Sequence, residues 1–185
     1  AVLGGAGRVG LPLALALASR GHRVRALDSD GAALSVARRG AMPFLEVGGE
    51  ELLRQCFDEY PDRLQFSSDL ADSRECDVVV VTSGVPVDEH LNPHLAVLEA
   101  EVERLRPFLR EGQTVVLRSV VAPGTSMRLA SMMKGIGVGI AFCGERLAEG
   151  TRARDIFKVP QIIAGSDSRA LEHARGIFRP IGVDI

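Results

Sequence analysis

Three glycines spaced G-x-G-x-x-G (Gly5, Gly7 and Gly10) follow directly on the apolar run Val2-Leu3 and open a helix-forming stretch from Leu11 to Ala18. Few short patterns constrain a fold as tightly, because strand, tight turn and helix must then form one unit. The spacing gives each glycine a task. Gly5 permits the turn, Gly7 lets backbone approach a pyrophosphate, and Gly10 lets helix and sheet pack closely. The free N–H groups and positive dipole end of the helix suit an anion.

The stretch after this helix strengthens the reading. His22 to Asp28 reads as a second strand ending in a carboxylate, and Asp28 stands 18 residues past Gly10. An acid about 20 residues past the glycines accepts hydrogen bonds from a ribose diol and repels a 2′-phosphate. Ser29-Asp30-Gly31 follows, with no arginine to welcome that phosphate, so NAD is favoured over NADP. On this reading Asp28→Ala should weaken NAD binding and leave thermal stability almost unchanged. The competing reading makes Asp28 the N-cap of a helix starting near Asp30.

Apolar runs of strand length alternate with helical patterns along the whole chain. The expected fold class is α/β, a doubly wound parallel sheet of Rossmann type with helices on both faces. Expected strands include Leu64 to Phe66, the β-branched run Val78 to Thr82, Thr114 to Leu117, Ile140 to Cys143 and Ile162 to Ala164. Val183 to Ile185 would begin one more. Expected helices include Gly31 to Arg39, Glu50 to Asp58, Leu95 to Leu105, Thr125 to Lys134 and Ser168 to Phe178. In such sheets ligands sit beyond the carboxyl ends of the strands. The glycine turn, Asp28, Thr82 to Pro86, Ser119 to Gly124 and Gly144 to Gly150 should therefore share one crevice.

Composition removes other classes. With 46% hydrophobic and 25% charged residues and a net charge of −2, the chain has an ordinary globular balance and no basic footprint for nucleic acid. No apolar run reaches the ~18 residues of a membrane span. Cys56, Cys76 and Cys143 and the four histidines show no metal-ligand spacing, so no metal site is expected. Unpaired cysteines suit a reducing, cytoplasmic compartment. The chain starts inside a strand and stops inside another, which reads as part of a larger enzyme.

Several segments, in register and in order, resemble the UDP-glucose/GDP-mannose dehydrogenase family of nucleotide-sugar 6-dehydrogenases. Gly5-Ala6-Gly7-Arg8-Val9-Gly10-Leu11-Pro12-Leu13-Ala14 is similar to that family's opening G-x-G-Y-V-G-L-P-L-A. Gly84-Val85-Pro86-Val87-Asp88-Glu89 with Asn92-Pro93 resembles its G-T-P loop, and Ser119-Val120-Val121-Ala122-Pro123-Gly124-Thr125 its S-T-V-x-P-G-T. Cys143-Gly144-Glu145-Arg146-Leu147-Ala148-Glu149-Gly150 resembles C-P-E-R-x-x-x-G. The wording lies nearest the UDP-N-acetylmannosamine branch.

The resemblance implies oxidation of the C6 alcohol of a UDP-hexose to the uronic acid with two NAD, in polysaccharide biosynthesis. It makes residues 1–185 the NAD-binding domain, with central dimerisation and C-terminal UDP-binding domains outside this chain, which alone would be inactive. A homodimer is implied for the whole protein. Gly5, Gly7, Arg8, Val9, Gly10, Asp28, Ser83, Val85, Pro86, Ser119 and Val120 become the cofactor-binding set. Glu145, Arg146 and Leu147 become substrate-binding, and Glu145 with Glu149 catalytic. If the segment is helical, those two carboxylates share a face and can order water and manage its protons. The family's cysteine nucleophile lies in a later portion, and none of the three cysteines here takes that role. Cys76 and Cys143 read as buried strand thiols.

Three departures stand out: Val85 and Val120 replace threonines, and Gly144 replaces a proline. Each valine keeps the volume and deletes a hydroxyl, a loss of about 0.5–1.5 kcal/mol per hydrogen bond. Two other readings stay open. One is an NAD-dependent dehydrogenase of the 3-hydroxyacid or 6-phosphogluconate type, which would need a lysine further along. The other is a nucleotide-binding module without catalysis.

Overall fold

A computed structural model describes residues 1–86, 88–90, 93–182 and 184–185. The expected alternation forms, in chain order, β1 (Val2–Leu3), α1 (Gly10–Ser19), β2 (Val24–Leu27), α2 (Gly31–Arg38), α3 (Gly49–Glu59), β3 (Leu64–Ser67) and β4 (Val78–Val81). Then come α4 (Leu95–Leu105), β5 (Thr114–Leu117), α5 (Thr125–Met132), β6 (Gly139–Phe142), the short α6 (Arg152–Asp155), β7 (Ala164–Gly165) and α7 (Ser168–Phe178). The seven strands lie in the order β3-β2-β1-β4-β5-β6-β7. The chain winds outward from β1 to β3 and then restarts at β4 on the other side. The switch point between β1 and β4 opens a crevice at the carboxyl ends.

The faces of the sheet bury two separate cores. Val2, Ala26, Val80, Val116 and Ala141 point to one face, packed with residues of α1, α3 and α7. Leu3, Leu27, Val79, Val81, Val115 and Leu117 point to the other, packed with α4 and α5. Alternate residues of one strand thus serve both faces, which is why these strands read as continuous apolar runs. Helix α1 is buried from Gly10 to Ala18, so its leucine–alanine sequence has no polar side.

One expectation needs correction. The strand expected at Ile162 to Ala164 forms as β7, only two residues long and antiparallel to β6. A parallel partner requires the chain to return to the opposite end of the sheet, usually through a long helix. Between Phe142 and Ala164 the only α-helix among the described residues is the four-residue α6. The chain remains at the carboxyl edge and enters β7 from there. Val183, expected to begin a closing strand, lies outside the described residues; beside it, the Asp184 carbonyl accepts the Gln161 amide at 2.9 Å.

Candidate functional site

The glycine turn is built from backbone. Gly4, at φ 77°, supplies the positive φ that the sharp exit from β1 requires, a task the spacing alone gave to Gly5. Gly5 is fixed by packing instead: a Cβ there would lie 2.6 Å from Ala26 Cα. At Gly10 a Cβ would lie 2.0 Å from the Gly4 carbonyl oxygen, so only glycine lets α1 start against the turn. The Gly7 amide donates to the Gly4 carbonyl at 2.9 Å, and the space beside its α-carbon is open apart from that oxygen. Thr82, at the end of β4, locks the turn from below. Its hydroxyl donates to the Leu3 carbonyl at 2.7 Å in a buried bond.

Asp28 leaves the end of β2 and reaches this turn. Its Oδ2 accepts the Ala6 amide at 2.9 Å, and its Oδ1 accepts the Asp30 amide at 3.0 Å. The capping role belongs to Asp30, whose side chain accepts the amides of Ala32 and Ala33 at the start of α2. Asp28 is half-buried beside the turn.

Ser83, Val85 and Pro86 follow β4, and Ser119 and Val120 follow β5. The Ser119 hydroxyl donates to the Ser83 carbonyl and ties the two strand ends together. Val85 packs on the second core, whereas Val120 is 73% exposed. Pro86 is exposed, with its carbonyl accepting the His94 amide at 2.8 Å. Val87 and Asn92 of this loop lie outside the described residues.

The segment after β6 is irregular rather than helical, so Glu145 and Glu149 do not share a helix face. Each has its own arginine. Glu145 pairs with Arg118 at 3.3 Å, the arginine fully buried and the carboxylate 9% exposed. Glu145 also accepts the Leu147 amide at 2.7 Å. Glu149 is exposed and pairs with Arg8 of the glycine turn at 3.0 Å. Leu147 sits in the first core, leaving only its backbone to face a ligand. Arg146 is exposed, its guanidinium donating to the Pro160 carbonyl at 3.3 Å.

These contacts link the strand ends in a ring: turn to Thr82, Ser83 to Ser119, Arg118 to Glu145, Glu149 back to Arg8. Two of its supports were absent from the sequence reading, and Thr82 was placed at the crevice without a role of its own. Arg118 carried a signal, a charge directly continuing the buried run of β5. Gln161, which accepts from the Arg118 guanidinium at 2.6 Å, carried none.

The three thiols are free. Cys143 is buried, 3.1 Å from the Arg118 guanidinium, and burial pushes its pKa up against that cation. Cys76 is not a buried strand residue; it is half-buried and ends a 3-10 turn over Leu70–Glu75, where that turn's local geometry overrides the β-branched run that follows.

The residues present suit a dinucleotide. The turn has no side chain at Gly7, α1 begins against it, and a carboxylate stands on the turn's own amide. Residues 1–182 match the profile of the UDP-glucose/GDP-mannose dehydrogenase family, NAD binding domain. The UDP-glucose 6-dehydrogenase of Pseudomonas aeruginosa is 34% identical over 186 residues, covering 95% of this chain and 41% of that protein. The GDP-mannose 6-dehydrogenase of Pseudomonas putida is 27% identical over 194 residues, covering 98% of this chain and 44% of its own. The chain therefore spans about two fifths of the length of these relatives. Among solved structures, a GDP-mannose dehydrogenase from Pseudomonas aeruginosa, determined as a ternary complex, superposes over the whole chain and 44% of its own with TM-score 0.87 and 26% identity. A UDP-D-ManNAc dehydrogenase from Pyrococcus horikoshii shares the fold with TM-score 0.89 at 22% identity, over the whole chain and 45% of its own. With nearly its full length inside that profile, the chain belongs to the UDP-glucose/GDP-mannose dehydrogenase family, as its NAD-binding domain.

Proposed function

We propose that this chain is the cofactor-binding part of a nucleotide-sugar dehydrogenase that oxidises the C6 alcohol of a UDP-hexose to the uronic acid with two NAD. The observation that carries the reading is the run of contacts from the glycine turn through Thr82, Ser83, Ser119 and Arg118 to Glu145, a carboxylate 9% exposed and paired with a fully buried arginine. Bound NAD supplies the hydride acceptor. The turn amides and the start of α1 would hold the diphosphate, and Asp28 the ribose hydroxyls. Ser83, Val85, Pro86, Ser119 and Val120 would line the cofactor's path across the strand ends.

Glu145, Arg146 and the Leu147 backbone would meet the sugar. Glu145 then holds or moves protons on water at the reacting carbon, with Glu149 as its second carboxylate. Val120 offers no hydroxyl to that water, so the proton traffic falls to the glutamates. The cysteine nucleophile and the uridine-binding surface belong to later sequence. The same reading carries a homodimer, a cytoplasmic setting and a role in polysaccharide biosynthesis. Among the described residues no helix is long and apolar enough to cross a membrane.

Titration of the chain with NAD and NADP, followed by assay of the whole protein with UDP-glucose, UDP-N-acetylhexosamines and GDP-mannose, tests the reading. The expected result is a preference for NAD and two NADH formed per sugar consumed. One NADH per substrate with a 3-hydroxyacid or 6-phosphogluconate would support the rival dehydrogenase class. NAD binding without turnover of any nucleotide sugar would support the non-catalytic module, which the exposed Val120 favours.

A further inference from the structure

Arg8 occupies the turn where a diphosphate would lie, yet its guanidinium is already engaged. It pairs with Glu149 at 3.0 Å and lies 5.6 Å from the centre of the Phe44 ring. Both members of the ion pair are more than half exposed, at 59% and 64%, so the pair holds weakly and is open to exchange. An arginine fork matches phosphate oxygens better than a single carboxylate oxygen, and a diphosphate beside the start of α1 adds the helix dipole to that preference. A carboxylate left beside the same anion would repel it.

We propose that Arg8 exchanges partners, from Glu149 in the free protein to the dinucleotide diphosphate in the complex, so that cofactor binding releases Glu149 toward the substrate side of the crevice. Phe44 holds the guanidinium near the turn throughout. The rest of the segment stays anchored when the pair opens, because the Val47 amide donates to the Gly150 carbonyl at 2.8 Å and the buried Glu46 accepts the Ala153 amide at 2.8 Å. Only the Glu149 side chain has to move. The coupling is reciprocal: whatever strengthens the Arg8–Glu149 pair weakens the cofactor, and the cofactor frees the carboxylate.

The inference rests on the NAD site described above, and isothermal titration of the 185-residue chain with NAD separates the two. Glu149→Gln should tighten NAD about threefold, the fold-change of losing one exposed competing pair. Arg8→Gln should weaken NAD about tenfold. In the Arg8→Gln background, Glu149→Gln should change affinity by much less than in the wild type. An unchanged or weaker affinity for Glu149→Gln alone overturns the exchange, as does a full threefold gain that persists without Arg8. Asp28→Asn serves as the control: if it leaves affinity unchanged, the NAD site itself is wrong and the exchange falls with it.

Discussion

Arg118 and Glu145 form an ion pair at 3.3 Å in which the arginine is fully buried and the carboxylate 9% exposed. The guanidinium is held from several sides: it donates to the Cys143 carbonyl at 3.2 Å and to Gln161 at 2.6 Å, and lies 5.2 Å from the centre of the Phe178 ring. Its Nε and Nη2 make no hydrogen bond among the described residues, so the pair with Glu145 is what answers the buried charge on that side. Removing one member of such a pair strands the other, at about 3–5 kcal/mol. Glu145→Gln should therefore lower the urea midpoint at least as much as Arg118→Met, because it leaves the fully buried guanidinium without a counter-charge, whereas Arg118→Met leaves a 9% exposed carboxylate that still accepts the Leu147 amide. A Glu145→Gln variant that unfolds close to the wild type would show that the cation is solvated in solution rather than buried.

Gly7 and Gly10 belong to one motif but should fail differently. A methyl at Gly10 would sit 2.0 Å from the Gly4 carbonyl oxygen and 2.7 Å from its carbon, backbone atoms of the turn itself. Overpacking of this kind costs about 3 kcal/mol. At Gly7 the nearest atom would be 3.1 Å away, so Gly7→Ala should cost less than about 1 kcal/mol in thermal unfolding. Its NAD affinity should nevertheless drop at least about tenfold, because the methyl occupies the space where phosphate oxygens approach backbone. Thermal melts with paired titrations check this contrast.

Asp28 requires a revised expectation for its own variant. Read from sequence, Asp28→Ala should barely move stability, but the carboxylate accepts amides from Ala6 and Asp30. Losing both should cost about 1–3 kcal/mol, as for hydrogen bonds to a charged group. Asp28→Asn keeps one oxygen acceptor and is the cleaner probe of the cofactor. NAD affinity should fall about tenfold with Tm shifted by only a few degrees. An Asn variant that melts like the Ala variant would mean the carboxylate serves the turn rather than the ribose.

The elements read most closely from sequence were those with unmixed signals. β5 at Thr114–Leu117 and α7 at Ser168–Phe178 have the expected bounds, because a β-branched run bounded by turn residues and a capped amphipathic stretch each admit one solution. The direction of β7 was not legible, since it depends on whether 21 intervening residues cross the sheet, a tertiary matter that Ile162-Ile163 cannot express. The split between Asp28 and Asp30 was equally hidden: both stand at a strand end before a helix, and only the φ and ψ angles decide which carboxylate caps. At the site, the glycines and acid announced themselves through spacing. Arg118 acts through burial, and its one linear signal, a charge directly continuing the run of β5, does not tell a buried cation from an exposed one.

Cys56 gives the chain an alkaline weakness. Its thiol lies in the core on α3, against the Leu15 carbonyl, and burial first and Glu59 second raise its pKa from 9.0 to about 11. Above pH 9 the unfolded chain loses this proton while the folded chain keeps it, so the folded state binds more protons and stability must fall as pH rises. The fall is at most about 1.4 kcal/mol per pH unit between the two pKa values and is complete above pH 11. Cys143, shifted in the same direction by burial, adds to it. Urea unfolding at pH 8, 9 and 10 should therefore show a declining midpoint in the wild type. Cys56→Ala will be less stable throughout because of the cavity it leaves, but its decline with pH should be shallower. A slope unchanged by the substitution would mean that the thiol reaches water and ionises in the folded protein.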